Sequence, residues 1–277
     1  ADPTRLCVPH SGVLPHLPLL DGTDSHFYFG WYHGDVRDVE TLAKRVPRLV
    51  RFMSEFGAQA VPTSSDFIDT ANWPDLDWDH LARHHGLQKW VFDDRVPPAD
   101  FATFDKWKSA TQVYQSELLR HHIELLRRLK YRPAGGFCMF ALNDPAPVVS
   151  WSVLDHRRVP KLGWRALKDA CAPVIVVADR PPDMVSPGQV IELDVHVVND
   201  LRTSVDPAVV DIQARWAGGE RRWRFGGGVP ADDCVRVGTL EFEVPETLGA
   251  LTIDLTLTAG DITAKNHYST AVTVVPE

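Results

Sequence analysis

Three short segments of this sequence carry side chains that could do chemistry. In Arg51-Phe52-Met53-Ser54-Glu55-Phe56-Gly57-Ala58-Gln59 a carboxylate ends an apolar run, and Gly57 lets the chain turn after it. Polar residues at the carboxyl ends of parallel barrel strands face the active site, so Glu55 is a candidate nucleophile or base. A helix-capping or surface glutamate fits the same spacing. The segment Ser25-His26-Phe27-Tyr28-Phe29-Gly30-Trp31-Tyr32-His33-Gly34 alternates aromatic rings with imidazoles. It offers the stacking faces and polar donors that sugars or planar ligands require, and pure core packing accounts for it equally. The run from Phe137 to Leu142 delivers Asn143 and Asp144 to the tip of an apolar strand, with Ser150-Trp151-Ser152 close behind. That arrangement could line a polar site, although Asn-Asp-Pro is also ordinary turn chemistry.

Several other chemistries are absent. There is no HExxH, GxSxG or GxxxxGK[ST], which counts against zinc proteases, α/β-hydrolases and P-loop enzymes. Gly226-Gly227-Gly228 lies among strands with no helix after it, so it reads as a loop rather than a phosphate cradle. His84-His85 and His121-His122 are neighbours on expected helices, where adjacent side chains point apart and do not share a metal. Cys7, Cys138, Cys171 and Cys234 are widely spaced with no CxxC rhythm, which excludes a structural zinc site. Cys138 and Cys171 sit in apolar surroundings and read as small hydrophobes, as suits a reducing compartment. No organic cofactor is implied, and no metal can be assigned.

The elements that must position these residues follow from composition and pattern. At 277 residues and 44% hydrophobic the chain has material for about two domains of roughly 150 residues each. The texture changes near Pro173. Residues 1–172 balance 21 acids with 21 bases and hold seven of the nine Trp, whereas 173–277 carry 16 acids against 8 bases. That acidic surplus removes nucleic acid and acidic membranes as default partners. No apolar run approaches 18 residues, so no helix is expected to span a membrane. No signal peptide is visible, so a cytoplasmic location is expected. In the front part Leu6 to Pro9, Leu49 to Met53 and Gly136 to Leu142 look like buried parallel strands. Helical spacing runs from Phe104 to Leu129 and ends at Pro133, and a shorter helix runs from Asp77 to Gly86. Beyond Pro173 the alternating runs at 190–198, 209–216, 235–244 and 251–257, separated by turn residues, read as a sandwich of about seven strands.

Four motifs, in order, resemble glycoside hydrolase family 2, especially its β-mannosidase-like members. Asp2-Pro3-Thr4-Arg5 leading to Pro9-His10-Ser11 is similar to the family's D-x-T-R-P…SS strand. Tyr28 to Gly34 is similar to its Y-W-G-x-W-H-G segment, and Arg51 to Gln59 with Pro62 to R-F-x-S-E-[FY]-G-x-Q…P. Leu142-Asn143-Asp144, Ser150-Trp151-Ser152, Asp155, Pro160-Lys161 and Pro173-Val174 follow the L-N-D…SWS…D…PK…PV pattern. The resemblance implies strands five to eight of a (β/α)₈ barrel over residues 1–172, then an immunoglobulin-like β-sandwich over 173–277.

It further implies a retaining β-glycosidase with Glu55 as nucleophile. His33, Trp31 and Tyr28 would line the sugar subsite, and Asn143 and Trp151 would belong to the loop after the last strand. Where the family has Trp-Gln before Leu-Asn-Asp, this chain has Phe140-Ala141, and Phe29 and Tyr32 also stand in place of Trp. The family's acid/base is a Glu directly after Asn, and no Asn-Glu pair occurs in this sequence. The expected partners are therefore a carbohydrate substrate and a missing N-terminal barrel half that supplies the acid/base. The competing expectation is a non-catalytic carbohydrate-binding or scaffold protein derived from such a barrel.

Overall fold

Asp77 and Gly86 bracket a helix as their chemistry requires. The Asp77 carboxylate accepts the His80 N–H, and Gly86 closes the helix in the left-handed region at φ +67°. The structure is a computed structural model that describes residue 4, residues 11–12 and residues 24–274. Its chain forms two compact units, residues 1–170 and 171–277.

In chain order the first unit comprises β1 (Ser25–His26), α1 (Asp38–Arg45), β2 (Phe52–Glu55), α2 (Trp78–His85), α3 (Lys89–Arg95), α4 (Phe104–Arg128), β3 (Gly136–Phe137) and α5 (Leu162–Ala170). The strands form one parallel sheet in the order β1-β2-β3, with His26 beside Glu55 and Met53 beside Phe137. Pairing continues past β3, because Cys138 N–H donates to Met53 O and Phe140 N–H to Phe56 O. β2 begins later than the apolar run at 49–53 suggests. Pro47 opens a 3-10 turn over Pro47–Val50, and the chain becomes extended only after it. The strand expected at 6–9 lies outside the described residues, as does Cys7. So does the first motif, apart from Thr4 and Ser11.

Helix α4 starts at Thr103, whose hydroxyl accepts the Lys106 N–H, and runs 25 residues. Leu119, Ile123 and Leu126 recur at helical spacing and pack with Val50, Met53 and Phe56 of the β2 segment. Near its start Trp107 joins Trp31, Leu81 and Phe92 in a second apolar cluster. This unit is a mixed α/β assembly with a parallel sheet, and Glu55 ends its middle strand.

The second unit is all β: β4 (Val174–Ala178), β5 (Met184–Val185), β6 (Val190–Asn199), β7 (Val205–Trp216), β8 (Gly219–Val229), β9 (Asp233–Glu243), β10 (Gly249–Ala259) and β11 (Ile262–Val272). They form sheets of order β5-β11-β10-β7-β8 and β4-β6-β9, antiparallel except where β5 meets β11. Ile191, Leu193, Val195 and Val197 of one sheet share a core with Ile212, Leu251, Ile253, Leu255 and Leu257 of the other.

Two sequence expectations are corrected. Gly226-Gly227-Gly228 is strand, not loop, with Gly226 paired to Val209 and Gly227 to Ala208. β8 lies at a sheet edge, where β7 supplies the ladder and side chains have little to pack against, so glycines are tolerated. Cys138 and Cys171 are exposed rather than packed as small hydrophobes. Cys138 follows the last residue of β3, and Cys171 follows the last turn of α5, so neither is carried into a core.

Leu255, 1% exposed on a central strand, tests the shared core. Leu255→Ala should destabilise the β unit by about 2–5 kcal/mol, read as faster amide exchange along β7 and β10. Thr258→Ala, on the opposite face of the same strand, should change it by about 0.5 kcal/mol or less.

Candidate active site

Glu55 leaves β2 with its side chain about one-third exposed. One carboxylate oxygen, Oε2, accepts the Tyr28 hydroxyl at 2.9 Å and lies 3.3 Å from His26 Nδ1. Among the described residues the other oxygen, Oε1, has no hydrogen-bond partner. The carboxylate is thus held at one end and free at the other. Burial holds the Tyr28 hydroxyl well above the ordinary phenol range, and its bond to the Glu55 carboxylate and that group's charge reinforce the effect. Tyr28 therefore stays a proton-bearing donor.

The ring of His26 continues outward to Asp24, 3.7 Å from Nε2. Burial alone would raise the Asp24 carboxyl. Hydrogen bonds from the Ser11 and Ser54 hydroxyls and the Gly12 N–H outweigh it and lower the group to about 2.

Aromatic rings wall one side. Trp151 stands 6.4 Å from Tyr28, 6.3 Å from Tyr32 and 5.8 Å from Phe140, and Tyr28 and Tyr32 are 5.3 Å apart. Gly57 permits this closeness. Its φ is +149°, and a Cβ there would lie 2.7 Å from the Phe140 carbonyl oxygen.

Behind the wall, polar groups fasten the loop that carries Trp151. Lys161, 2% exposed, donates from Nζ to the carbonyls of Ala60 (3.0 Å) and Ser150 (3.2 Å), and lies 3.7 Å from the buried Asp144 carboxylate. Burial lowers the Lys161 ammonium to about 8 even though Asp144 and Asp155 pull the other way. The fully buried Asp155 accepts backbone N–H groups of Ser64, Arg157 and Val159. From α4, Gln115 donates to the carbonyls of Ala58 and Trp151, and Gln112 donates to that of Val61. Gln59 caps the Gly86 carbonyl and receives the Gln88 N–H, and Gln88 in turn engages the Tyr32 hydroxyl at 2.9 Å.

The structure therefore brings Glu55, Tyr28 and Trp151 together. Trp31 is corrected: at 1% exposed it is core, stacked edge-on against Phe92 with its indole N–H on Gln88, because the turn after Tyr28 folds it inward. It backs the wall rather than lining a subsite. His33 is exposed on that turn with Phe29 and Tyr32 as ring neighbours, and Asn143 spends its amide on the Asp144 carbonyl. Neither is brought to Glu55. His26 was the residue to single out, since strand alternation beside Glu55 gives it the contact that helps orient the carboxylate. Among the described residues no cluster of three His, Cys, Asp or Glu side chains is arranged to hold a metal.

No family model matches the chain. The β-mannosidase B of Thermothelomyces thermophilus is 27% identical over 201 residues, which is 64% of this chain and 23% of that protein. Among solved structures, the β-D-mannosidase of Dictyoglomus thermophilum matches 90% of this chain with a TM-score of 0.67 at 20% identity. An exo-chitosanase of Amycolatopsis orientalis matches 91% with a TM-score of 0.64 at 16% identity. These structural likenesses establish a shared fold. The chain spans 23% of the curated relative and 30% of either solved protein. Over that partial length it is a relative of enzymes of the glycoside hydrolase family 2 kind.

Two predictions test the wall. Gly57→Ala should force the Phe140 backbone away and cost about 1–3 kcal/mol in urea unfolding. Lys161 sets a pH dependence of defined sign. The folded ammonium discharges near pH 8 and the unfolded one near 10.5, so between these values the unfolded chain binds more protons. Stability should therefore rise across that window, by on the order of 3 kcal/mol relative to Lys161→Met. Parallel pH profiles for the two proteins would remove this assignment.

Proposed function

We propose that this chain is the nucleophile-bearing part of a retaining β-glycosidase of the β-mannosidase-like type. It contributes strands five to eight of a (β/α)₈ barrel, followed by an immunoglobulin-like sandwich. The observation that carries the reading is the one-sided holding of Glu55: Oε2 clamped by Tyr28 and His26, Oε1 free at a part-exposed strand end. A retaining glycosidase needs an ionised carboxylate aimed at the anomeric carbon. Oε1 attacks C1, the C1–O bond breaks, and the departing oxygen takes a proton from a second carboxyl about 5–5.5 Å from the first. The same group then removes a proton from water, which attacks C1 and releases the sugar and the Glu55 carboxylate. Tyr28 fixes the attacking carboxylate's orientation, which is where much of the rate of a positioned reaction originates. Trp151 and Tyr32 offer apolar faces beside it.

The proton donor belongs to sequence outside this chain, in the same precursor or another polypeptide. General-acid help is worth about 10²–10⁴-fold, so the chain by itself should hydrolyse an unactivated disaccharide negligibly. The decisive test uses a sugar that needs no such help. A dinitrophenyl 2-deoxy-2-fluoro-β-mannoside should leave a fluorosugar adduct on the peptide containing Glu55, and none in Glu55→Gln. Saturable binding of the same sugar with no adduct would sink the nucleophile and favour a carbohydrate-binding relic.

A further inference from the structure

We infer that Trp90 is a stacking platform for a second sugar unit, adjacent to the unit held at Glu55. The inference rests on the Glu55 reading. Trp90 is 67% exposed, far more than any other indole among the described residues. Nothing in local chain chemistry requires this, since the apolar neighbours Val91 and Phe92 on the same helix are 2% and 0% exposed. An exposed indole leaves a large apolar face in water, which marks a contact surface when its orientation is fixed.

That orientation is fixed at several points. Val91 and Phe92 anchor α3 in the core, and both their N–H groups bond the Gln88 carbonyl. Lys89 pairs with Asp93 at 2.6 Å along the helix surface. One face of the Trp90 ring lies nearly parallel to Tyr32, with centroids 6.0 Å apart at 19°. Tyr32 is itself held by its hydroxyl on Gln88 and leans on Tyr28, which touches Glu55. The rings therefore form a series leading from the carboxylate outward: Tyr28, Tyr32, Trp90.

A pyranose has one face of C–H bonds, which suits the electron-rich face of an indole. A unit whose C1 meets Glu55 lies against Tyr28 and Trp151. The next unit of a β-linked chain is the one that reaches the outer end of the series, where Tyr32 covers one side of Trp90 and the other is open. Phe140 stands beside Trp151 on the inner part of the wall, and Trp90 supplies an indole further out.

The test uses the full chain with β-1,4-mannobiose and mannose as probes. In the free protein N-bromosuccinimide should oxidise Trp90, located by peptide mass mapping, and mannobiose but not mannose should protect it. By calorimetry Trp90→Ala should weaken mannobiose roughly three- to tenfold and leave mannose within twofold, with Trp90→Phe close to wild type. Unchanged mannobiose affinity in Trp90→Ala, with mannose still bound, overturns the platform and leaves Glu55 standing. Wild-type protein that binds neither sugar overturns both. Trp90 already shielded from oxidation in the free chain overturns the platform alone.

Discussion

A lysine ammonium buried to 2% exposure loses the hydration that ordinarily stabilises it, at an effective cost of several kcal/mol. Lys161 is tolerated because its surroundings return most of that: two carbonyls within hydrogen-bond distance and the carboxylate of Asp144 at 3.7 Å. The two carbonyls belong to different segments. Ala60 lies just beyond β2, and Ser150 in the loop after β3. One cation thus ties the exit of the strand that carries Glu55 to the loop that carries Trp151. The same Ser150 carbonyl also receives the Ala60 N–H, and the Ser150 hydroxyl bonds Asp144. This knot, with Gln115 bonded to the carbonyls of Ala58 and Trp151, sets the separation of the two segments and so the place of the Trp151 ring beside Tyr28.

Burial of so many polar groups in one small region is costly unless they find partners; here most do, while among the described residues Gln115 Oε1 and Trp151 Nε1 find none. Here Thr111, Gln112 and Gln115 of α4 and Asp155 after β3 meet backbone groups of Ala58, Val61 and Ser64, beyond the end of β2. An apolar filling of the same volume would leave those carbonyls and N–H groups orphaned. The segment after β2 and the loop that carries Trp151 are therefore fixed by buried polar side chains, and Glu55 itself is held by Tyr28 and His26.

That division explains what could be read in the sequence. The place of Glu55 at a strand end was legible because an apolar run precedes it and a glycine follows two residues on. Helices α2 and α4 were legible from their caps and spacing, and strands β6 and β10 from clean alternation. Strand β8 was not, because Gly226 to Gly228 carry turn propensity that an edge position and the β7 ladder override. Thr111, Gln112 and Gln115 of α4 are polar yet buried, and their partners are backbone groups with no sequence signature. Trp31 and Trp90 have the same side chain and opposite fates. Which indole faces the core depends on Gln88 and Phe92, contacts that no local pattern encodes. The motif residues Asp144, Asp155 and Lys161 were legible as a pattern, and their work is structural.

His26 lies between Glu55 and a second carboxyl, that of Asp24. A general acid must carry its proton near neutral pH, which requires a carboxyl raised well above its usual value. Asp24 is driven the opposite way, to about 2, by donors from Ser11, Ser54 and Gly12. It is ionised throughout the working range and cannot protonate a leaving oxygen. Its position behind His26 fits a different task, since a carboxylate on the far side of an imidazole fixes the ring that steadies Glu55 Oε2. Asp24 is thus kept charged by its hydrogen-bond donors. In the proposed retaining mechanism, the proton-bearing carboxyl has to be a group other than Asp24.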